Sequence, residues 1–297
     1  MASSSSSSSS SQFDIRIAPN PPVFDLPVLV ALEEGLFAKH GVNLSYAAGY
    51  SDREQNPHEQ KPLHRLKESL FEQGKADTYN VCEWGSIDRI ERGKEQRAKI
   101  AALRPAVAAQ AIVTFDDALQ VPRDLADVEI GINDFTGSHY TTLQLLEGAV
   151  GRERVKTVHV GEPSHRYDQV KSGAIRAATV MEPFISLALK EGGHIVALTF
   201  YRGAEVIHPR FAPEQRNAYF DALNEAVDRI HADFGKYAHH IVKITKGRLR
   251  PEELGRQFIH YVHAENYDLE KFDQAYHWME SWKLTSGQNS HASLVTN

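Results

Sequence analysis

The densest set of titratable side chains in the chain is His58-Glu59-Gln60-Lys61-Pro62-Leu63-His64-Arg65. Imidazole changes charge near neutral pH, so His58 or His64 could take or give a proton in a reaction. Lys61 or Arg65 could hold a carboxylate. The same residues also suit a solvated loop leading into a helix. The polar stretch from Tyr50 to Pro62 is long for a connection, and loops of that length either bind something or stay unordered. A second set is Cys82-Glu83-Trp84. Glu83 could bind a ligand amine or act as a base. Cys82 could be a nucleophile beside a histidine, but Glu83 opposes the thiolate, and lone cysteines commonly pack as small hydrophobes. Trp84 could stack on a flat ligand or simply fill a core.

Arg104, just before Pro105, suits bidentate pairing with a carboxylate, sulfonate or sulfinate, or else a salt bridge between domains. The stretch Val128 to Thr142 reads as strand, small-residue turn and helix. Free N–H groups at such a helix start favour an anionic or polar ligand. Gly137 lets the backbone approach closely, and Ser138, Thr141 and Thr142 carry hydroxyl donors. His139 and Tyr140 could add polar contacts or cap the helix. His165, His208, the pair His239-His240 and His260 with His263 fit no metal motif, and the tail histidines read as surface residues. No metal and no cofactor is expected.

The chain has 297 residues, long enough for two domains with real cores, and is 41% hydrophobic and 24% charged, as a soluble globular protein would be. A formal net charge of −6 with no dense basic cluster argues against a nucleic-acid partner. The single cysteine excludes an intrachain disulfide and a thiolate zinc cage. The serine-rich start, residues 1–12, lacks the basic and apolar regions of a secretion signal and reads as a solvated tail outside the fold. No apolar run is long enough to insert into a membrane. As written, the chain reads as cytoplasmic. A leader removed upstream would make it periplasmic.

The elements that must position these residues alternate. Phe13 to Ala18 is a strand, Leu26 to Phe37 a helix, and Val42 to Tyr46 a strand. His64 to Gln73 is a helix and Asp77 to Val81 a strand, followed by a helix from Ile87 to Arg92. Lys99 to Leu103 and Ala109 to Thr114 read as two strands broken at Arg104-Pro105. A second series begins at Val128. Its strands are Val128 to Ile132, Lys156 to Val160, Ala177 to Val180 and His194 to Phe200, with helices between. From Pro213 the chain is helical, including Glu252 to His260 and Leu269 to Trp282. Alternating strands and helices imply parallel-type sheets, and two such series imply two lobes.

Five fragments in order carry a resemblance. They are ALEEGLFAKHGVNLSY, LFEQGKADTYNV, PRDLADVEIGI, TGSHYTTLQLLE and VKSGAIRAATVMEPF. Together they resemble the type 2 periplasmic-binding-protein fold of the nitrate, sulfonate, taurine and thiamine-precursor group. The resemblance implies an α/β, two-lobed architecture with two hinge crossovers and a helical C-terminal tail returning to the first lobe. Lobe 1 would be residues 13–112 plus 200–297, and lobe 2 residues 113–199. Ligands in such sheets lie outside the carboxyl ends of the strands. That rule selects Asn20, Phe24, Tyr50, Cys82, Glu83, Trp84, Arg104, Thr136 to Tyr140, Glu182 and Tyr201-Arg202. With the loop 58–65 added, the ligand-binding candidates are Asn20, Phe24, Tyr50, Lys61, Cys82, Trp84, Arg104, Gly137, Ser138, His139, Tyr140, Glu182 and Arg202, and the catalytic ones His58, His64 and Glu83.

The fold does not fix function. Some members of the group deliver solutes to importers, with a transporter permease as partner. Others are soluble desulfinases, dihydroxyphthalate decarboxylases or thiamine-pyrimidine synthases. The desulfinases carry a cysteine after strand one, where this chain has Pro19-Asn20-Pro21-Pro22. The synthases carry a cysteine-rich run absent here, although Lys61 and His64 resemble their pyridoxal-handling segment. Two readings therefore stay open. One is a solute-binding protein closing on a small anionic or aromatic molecule. The other is a cytoplasmic lyase that removes a carboxyl or sulfinate group.

Overall fold

The computed structural model describes residues 13–49, 66–93 and 98–296. β1 (Phe13–Ile17) alternates buried and less buried residues and ends where Pro19 and Pro21 remove ladder donors. α1 (Pro22–Glu33) starts four residues earlier than the apolar spacing predicts. Pro22 sits in the first turn, where its missing N–H costs nothing, and Asp25 adds a favourable negative charge there. Gly35, at φ 69°, breaks the chain into α2 (Leu36–Lys39), and β2 (Val42–Tyr46) follows. α3 (Leu66–Glu72) leads to β3 (Thr78–Cys82), and α4 (Glu83–Arg92) begins without a loop.

β4 (Lys99–Thr114) is one strand of 16 residues where the sequence predicts two. Its register against β8 (His194–Ile207) shifts between Leu103 and Val107, so a bulge takes up Pro105, which has no N–H for the ladder. β8 likewise runs on to Ile207, beyond the end expected at Phe200. The remaining elements are β5 (Glu129–Ile132), α5 (Gly137–Glu147), β6 (Lys156–His159), α6 (Pro163–Lys171), β7 (Ala177–Val180) and α7 (Phe184–Lys190). The tail holds α8 (Pro213–Ala232), α9 (Phe234–Val242), β9 (Ile259–Tyr261), α10 (Leu269–Ser281) and α11 (His291–Leu294). The helix expected over Glu252 to His260 is instead two 3₁₀ turns and β9, which pairs with Ala106 to Ala108 beside the bulge.

The strands form one continuous sheet in the order β2-β1-β3-β8-β4-β7-β5-β6. β1, β2 and β3 are parallel at one end, and β5, β6 and β7 are parallel at the other. The long antiparallel pair β4–β8 joins the ends. The helical tail returns to the first half of the chain. α8 and α9 pack on α1, and α10 packs on α4. One large apolar core spans most of the molecule, and a smaller one, around Ile112, Ile130 and Leu146, serves the β5–β6 end. Among the described residues, no helix is long and apolar enough to cross a membrane.

Candidate functional site

Between the two ends of the sheet lies a cavity. Its floor comes from the β1–α1 turn (Asn20, Pro21, Phe24), from β3 (Val81, Cys82) and from Lys67 on α3. β4 gives Arg104 and Gln110, and β8 gives Tyr201. The opposite wall is the β5–α5 turn with Asn133, Thr136, Gly137 and Ser138, joined by Pro163, Arg166 and Met181.

The polar groups of the floor are held in one buried network. Asn80 sits at its centre. Its Nδ2 donates to Asp25 Oδ1 at 2.7 Å, and its Oδ1 accepts from Arg104 Nη1 at 2.9 Å and from Asn20 Nδ2. The Asn20 amide donates to Asp25 Oδ2 at 2.9 Å. Lys67 Nζ donates to Asn20 Oδ1 at 3.2 Å and to the Asn80 carbonyl at 3.0 Å. Glu205 lies opposite Asn80 in the β3–β8 ladder and is fully buried. Burial, with the Asp25 carboxylate adding repulsion, pushes its carboxyl up to about 8. At neutral pH Glu205 is therefore protonated. Two cations, Lys67 and Arg104, face one carboxylate, Asp25, so among the described residues the floor carries surplus positive charge.

Arg104 is 1% exposed, and among the described residues its Nη2 has no hydrogen-bond partner. Its guanidinium lies 4.0 Å over the Phe24 ring and 5.4 Å from the Tyr201 ring. The two rings, 5.9 Å apart and at 71° to each other, bracket it at an angle and orient it. Gln110 is 2% exposed. Its Nε2 faces Met181 Sδ at 3.8 Å, and its Oε1 has no hydrogen-bond partner among the described residues. Across the cavity, α5 starts at Gly137. A Cβ there would stand 2.8 Å from the Tyr201 hydroxyl, so only glycine allows this approach. Burial pushes the Tyr201 phenol up, which keeps it neutral as a hydrogen-bond donor. Ser138 Oγ accepts from the Asn133 amide at 2.9 Å and contacts Thr136 Oγ at 3.0 Å, which locks the turn. Thr141 and Thr142 donate back to the carbonyls of Gly137 and Ser138, both at 2.6 Å, so their hydroxyls serve the helix and not the cavity.

Of the residues the sequence nominates, the structure brings Asn20, Phe24, Cys82, Arg104, Gly137 and Ser138 together at the cavity. Cys82 caps α4, its Sγ accepting from the Gly85 amide at 3.3 Å. Glu83, Trp84, His139, Tyr140, Glu182 and Arg202 do not line it. Glu83 is the first residue of α4 and lies 3.5 Å from the Tyr267 hydroxyl; burial pushes it up to about 7. Trp84 and Tyr140 pack with Trp278 in an aromatic cluster. His139 Nδ1 accepts from the Phe135 amide at 3.1 Å, so it closes the turn. Glu182 accepts from Ser186 through both its amide, at 3.1 Å, and its hydroxyl, at 2.5 Å, and burial pushes it to about 7. Arg202 points to the other face of β8, where it donates to the Arg104 carbonyl at 2.7 Å and pairs with Glu265 at 2.5 Å. Tyr50, His58, Lys61 and His64 lie outside the described residues.

Sequence reasoning missed Lys67, Gln110, Arg166 and Met181. Gln110 carries a usable signal, a single amide inside the apolar run AVAAQAIVT. A polar residue in a buried strand needs a partner, and here the cavity stands where that partner would be. Lys67 sits on the buried side of α3 beside Leu70 and Phe71, a position periodicity assigns to core. Arg166 is tied by Nε to the Thr179 carbonyl at 2.7 Å and by Nη1 to the Gly161 carbonyl, contacts across the fold that no local pattern predicts.

No family model matches the sequence, and no curated protein does. Solved structures match over nearly the whole chain. The alkanesulfonate-binding protein SsuA of Xanthomonas axonopodis pv. citri, bound to MOPS, superposes with a TM-score of 0.75 at 12% identity, covering 97% of this chain and 98% of that one. The fold is the two-lobed, type 2 periplasmic-binding-protein fold. The periplasmic aliphatic sulphonate-binding protein SsuA of Escherichia coli gives 0.69 at 12% identity over 93% and 94% of the two chains. A Candida albicans protein, described as defining a new family with the generic periplasmic-binding-protein fold, gives 0.69 at 10% identity over 96% of each chain. In this binding-protein fold, β4 and β8 are the two crossovers, and the cavity lies between the parts they join.

Proposed function

We propose that the protein binds a small organic acid in the cavity between its lobes. The supporting observation is a pair of buried polar atoms on the crossover β4, Arg104 Nη2 and Gln110 Oε1, that have no hydrogen-bond partner among the described residues. A buried donor and a buried acceptor left open cost free energy unless a ligand satisfies them. Arg104 takes the acid group, assisted by the start of α5 at Gly137 and by the surplus charge of the floor. Gln110 Oε1 requires an N–H or O–H on the ligand. Phe24 and Tyr201 enclose an apolar or flat body. The reading is thus a small acid that also carries a hydroxyl, amine or amide. Closure joins lobe 1, residues 13–112 plus 200–297, to lobe 2, residues 113–199, through the β4–β8 pair.

Sulfonate binding by the SsuA proteins supports an acid ligand, since the two folds superpose along their length. The small molecule is the first partner. A transporter permease is a second one for an exported form of the chain. Glu83, the catalytic candidate within the described residues, is turned to Tyr267 and not to the cavity, so simple binding is the reading that this site supports.

A thermal-shift screen of carboxylates, sulfonates and sulfinates tests the proposal, with mass spectrometry of each recovered ligand. An acid bearing a donor group is expected to raise the melting temperature of the protein and to be recovered unchanged. Arg104→Ala should abolish that shift, and Gln110→Leu should remove the preference for the donor-bearing acid over its deoxy analogue. Equal shifts for wild type and Arg104→Ala would refute the assignment.

A further inference from the structure

Away from the cavity, α1 and α9 pack side by side and bring three metal-ligating side chains together. Glu33 is the last residue of α1, and His239 and His240 lie in α9. Each offers one ligating atom, and these atoms all lie within 4.8 Å of one another. His240 Nε2 is 2.8 Å from Glu33 Oε2, and the two imidazole rings are 4.0 Å apart. His239 Nδ1 lies 2.9 Å from the Lys236 carbonyl. A carbonyl only accepts, so Nδ1 carries the proton and Nε2 keeps its lone pair. That is the arrangement by which metal-binding imidazoles are commonly oriented. The neighbouring acid, Glu34, is already engaged by Lys236 and by the Tyr237 hydroxyl at 3.0 Å, which leaves Glu33 to the histidines.

We propose that Glu33, His239 and His240 bind one divalent transition-metal ion, Zn²⁺ above all. Two imidazoles and a carboxylate suit Zn²⁺, and also Ni²⁺ and Cu²⁺, but not Mg²⁺ or Ca²⁺, which take oxygen ligands. The ion replaces the proton now shared between His240 and Glu33. Binding requires side-chain turns that bring the three ligand atoms to metal–ligand distances of about 2.0–2.2 Å. The fourth position opens to solvent, because Glu33 and His239 are exposed. The ion clips the end of α1 to α9. The other end of α1 supplies Phe24 and Asp25 to the cavity and its network, so the clip fixes the helix that carries part of the ligand site.

The test is a titration of the full chain with ZnCl₂, read by calorimetry and by melting temperature, alongside His239→Ala, Glu33→Gln and the control His263→Ala. His263 is an exposed histidine paired with Asp228 on another surface. Wild type and the control are expected to show one site of micromolar affinity and a rise of roughly 5 °C at saturating metal. His239→Ala and Glu33→Gln should each weaken that site at least tenfold. Mg²⁺ should give no shift. Unchanged affinity in both variants, or no binding by wild type at millimolar Zn²⁺, would overturn the assignment.

Discussion

Replacing Glu205 by glutamine should flatten the dependence of stability on pH. Glu205 is 2% exposed and stands opposite Asn80, beside the buried Asp25. Its carboxyl is pushed from the ordinary 4.5 up to about 8. A folded-state value above the unfolded one means that the native protein binds the proton more tightly. The contribution is therefore fully present below about pH 4.5 and is lost as pH rises through about 8. Over the window from pH 5.5 to pH 8, this single group removes about 3 kcal/mol of stability. Glutamine is close in shape, neutral throughout, and able to accept from Thr78 as Glu205 does at 3.4 Å.

The assay is urea unfolding of wild type and Glu205→Gln at pH 5.5 and at pH 8. Glu83 and Glu182, both raised to about 7, steepen the decline in both proteins and cancel in the difference. Wild type should lose about 3 kcal/mol more than the variant across this interval. Parallel profiles, differing by less than about 1 kcal/mol, would mean that Glu205 is ionised in the native state. The account of the floor as positively charged would then fail, because Lys67 and Arg104 would be matched by two carboxylates.

Two further outcomes follow from the same geometry. Affinity for an anionic ligand should fall above about pH 8 as Glu205 ionises and cancels the surplus charge, and Glu205→Gln should keep its affinity across that range, as titration calorimetry at pH 6.5 and 9 would read. Gly203→Ala should destabilise by about 1–3 kcal/mol and weaken acid binding together, because its Cβ would meet both the Val81 carbonyl and the Arg104 guanidinium; retention of both properties in melting and binding assays would contradict the packing of Arg104.

Much of the architecture was legible because it rests on local chemistry. The alternation in FDIRI, the glycines at 35, 41 and 74, and the run VEIGI before a small-residue turn each mark an element wherever it sits. The errors fall where a distant partner decides. Pro105 reads as a strand end, yet the bulge from Leu103 to Val107 absorbs it, and its carbonyl accepts from the Val262 amide at 2.9 Å. The segment 252–260 has helical spacing, but Gly255 donates to Ser186 Oγ at 2.8 Å and Ile259 to Tyr261 completes the sheet beside that bulge. Both misreadings have one cause, pairing between residues distant in sequence, 157 positions for Pro105 with Val262 and 69 for Ser186 with Gly255.

The same reasoning explains which cavity residues were visible. The rule that ligands gather outside strand ends finds Asn20, Cys82, Gly137 and Ser138, because β1, β3 and β5 do end there. It fails for Gln110, in the middle of β4, and it reaches Tyr201 only by ending β8 at Phe200, whereas the strand runs on to Ile207. It also chose Arg202, where a period of two along β8 turns the next side chain to the opposite face. Crossover strands obey a different rule from the rest of the sheet. They must be apolar enough to be buried in both lobes, so an isolated polar residue on the cavity face is the exception that chemistry must justify. Gln110 within an alanine-rich run and Tyr201 at the approach to Gly137 meet that description. The crossovers are thus both the connection between the two ends of the sheet and, through Arg104, Gln110 and Tyr201, part of the cavity wall.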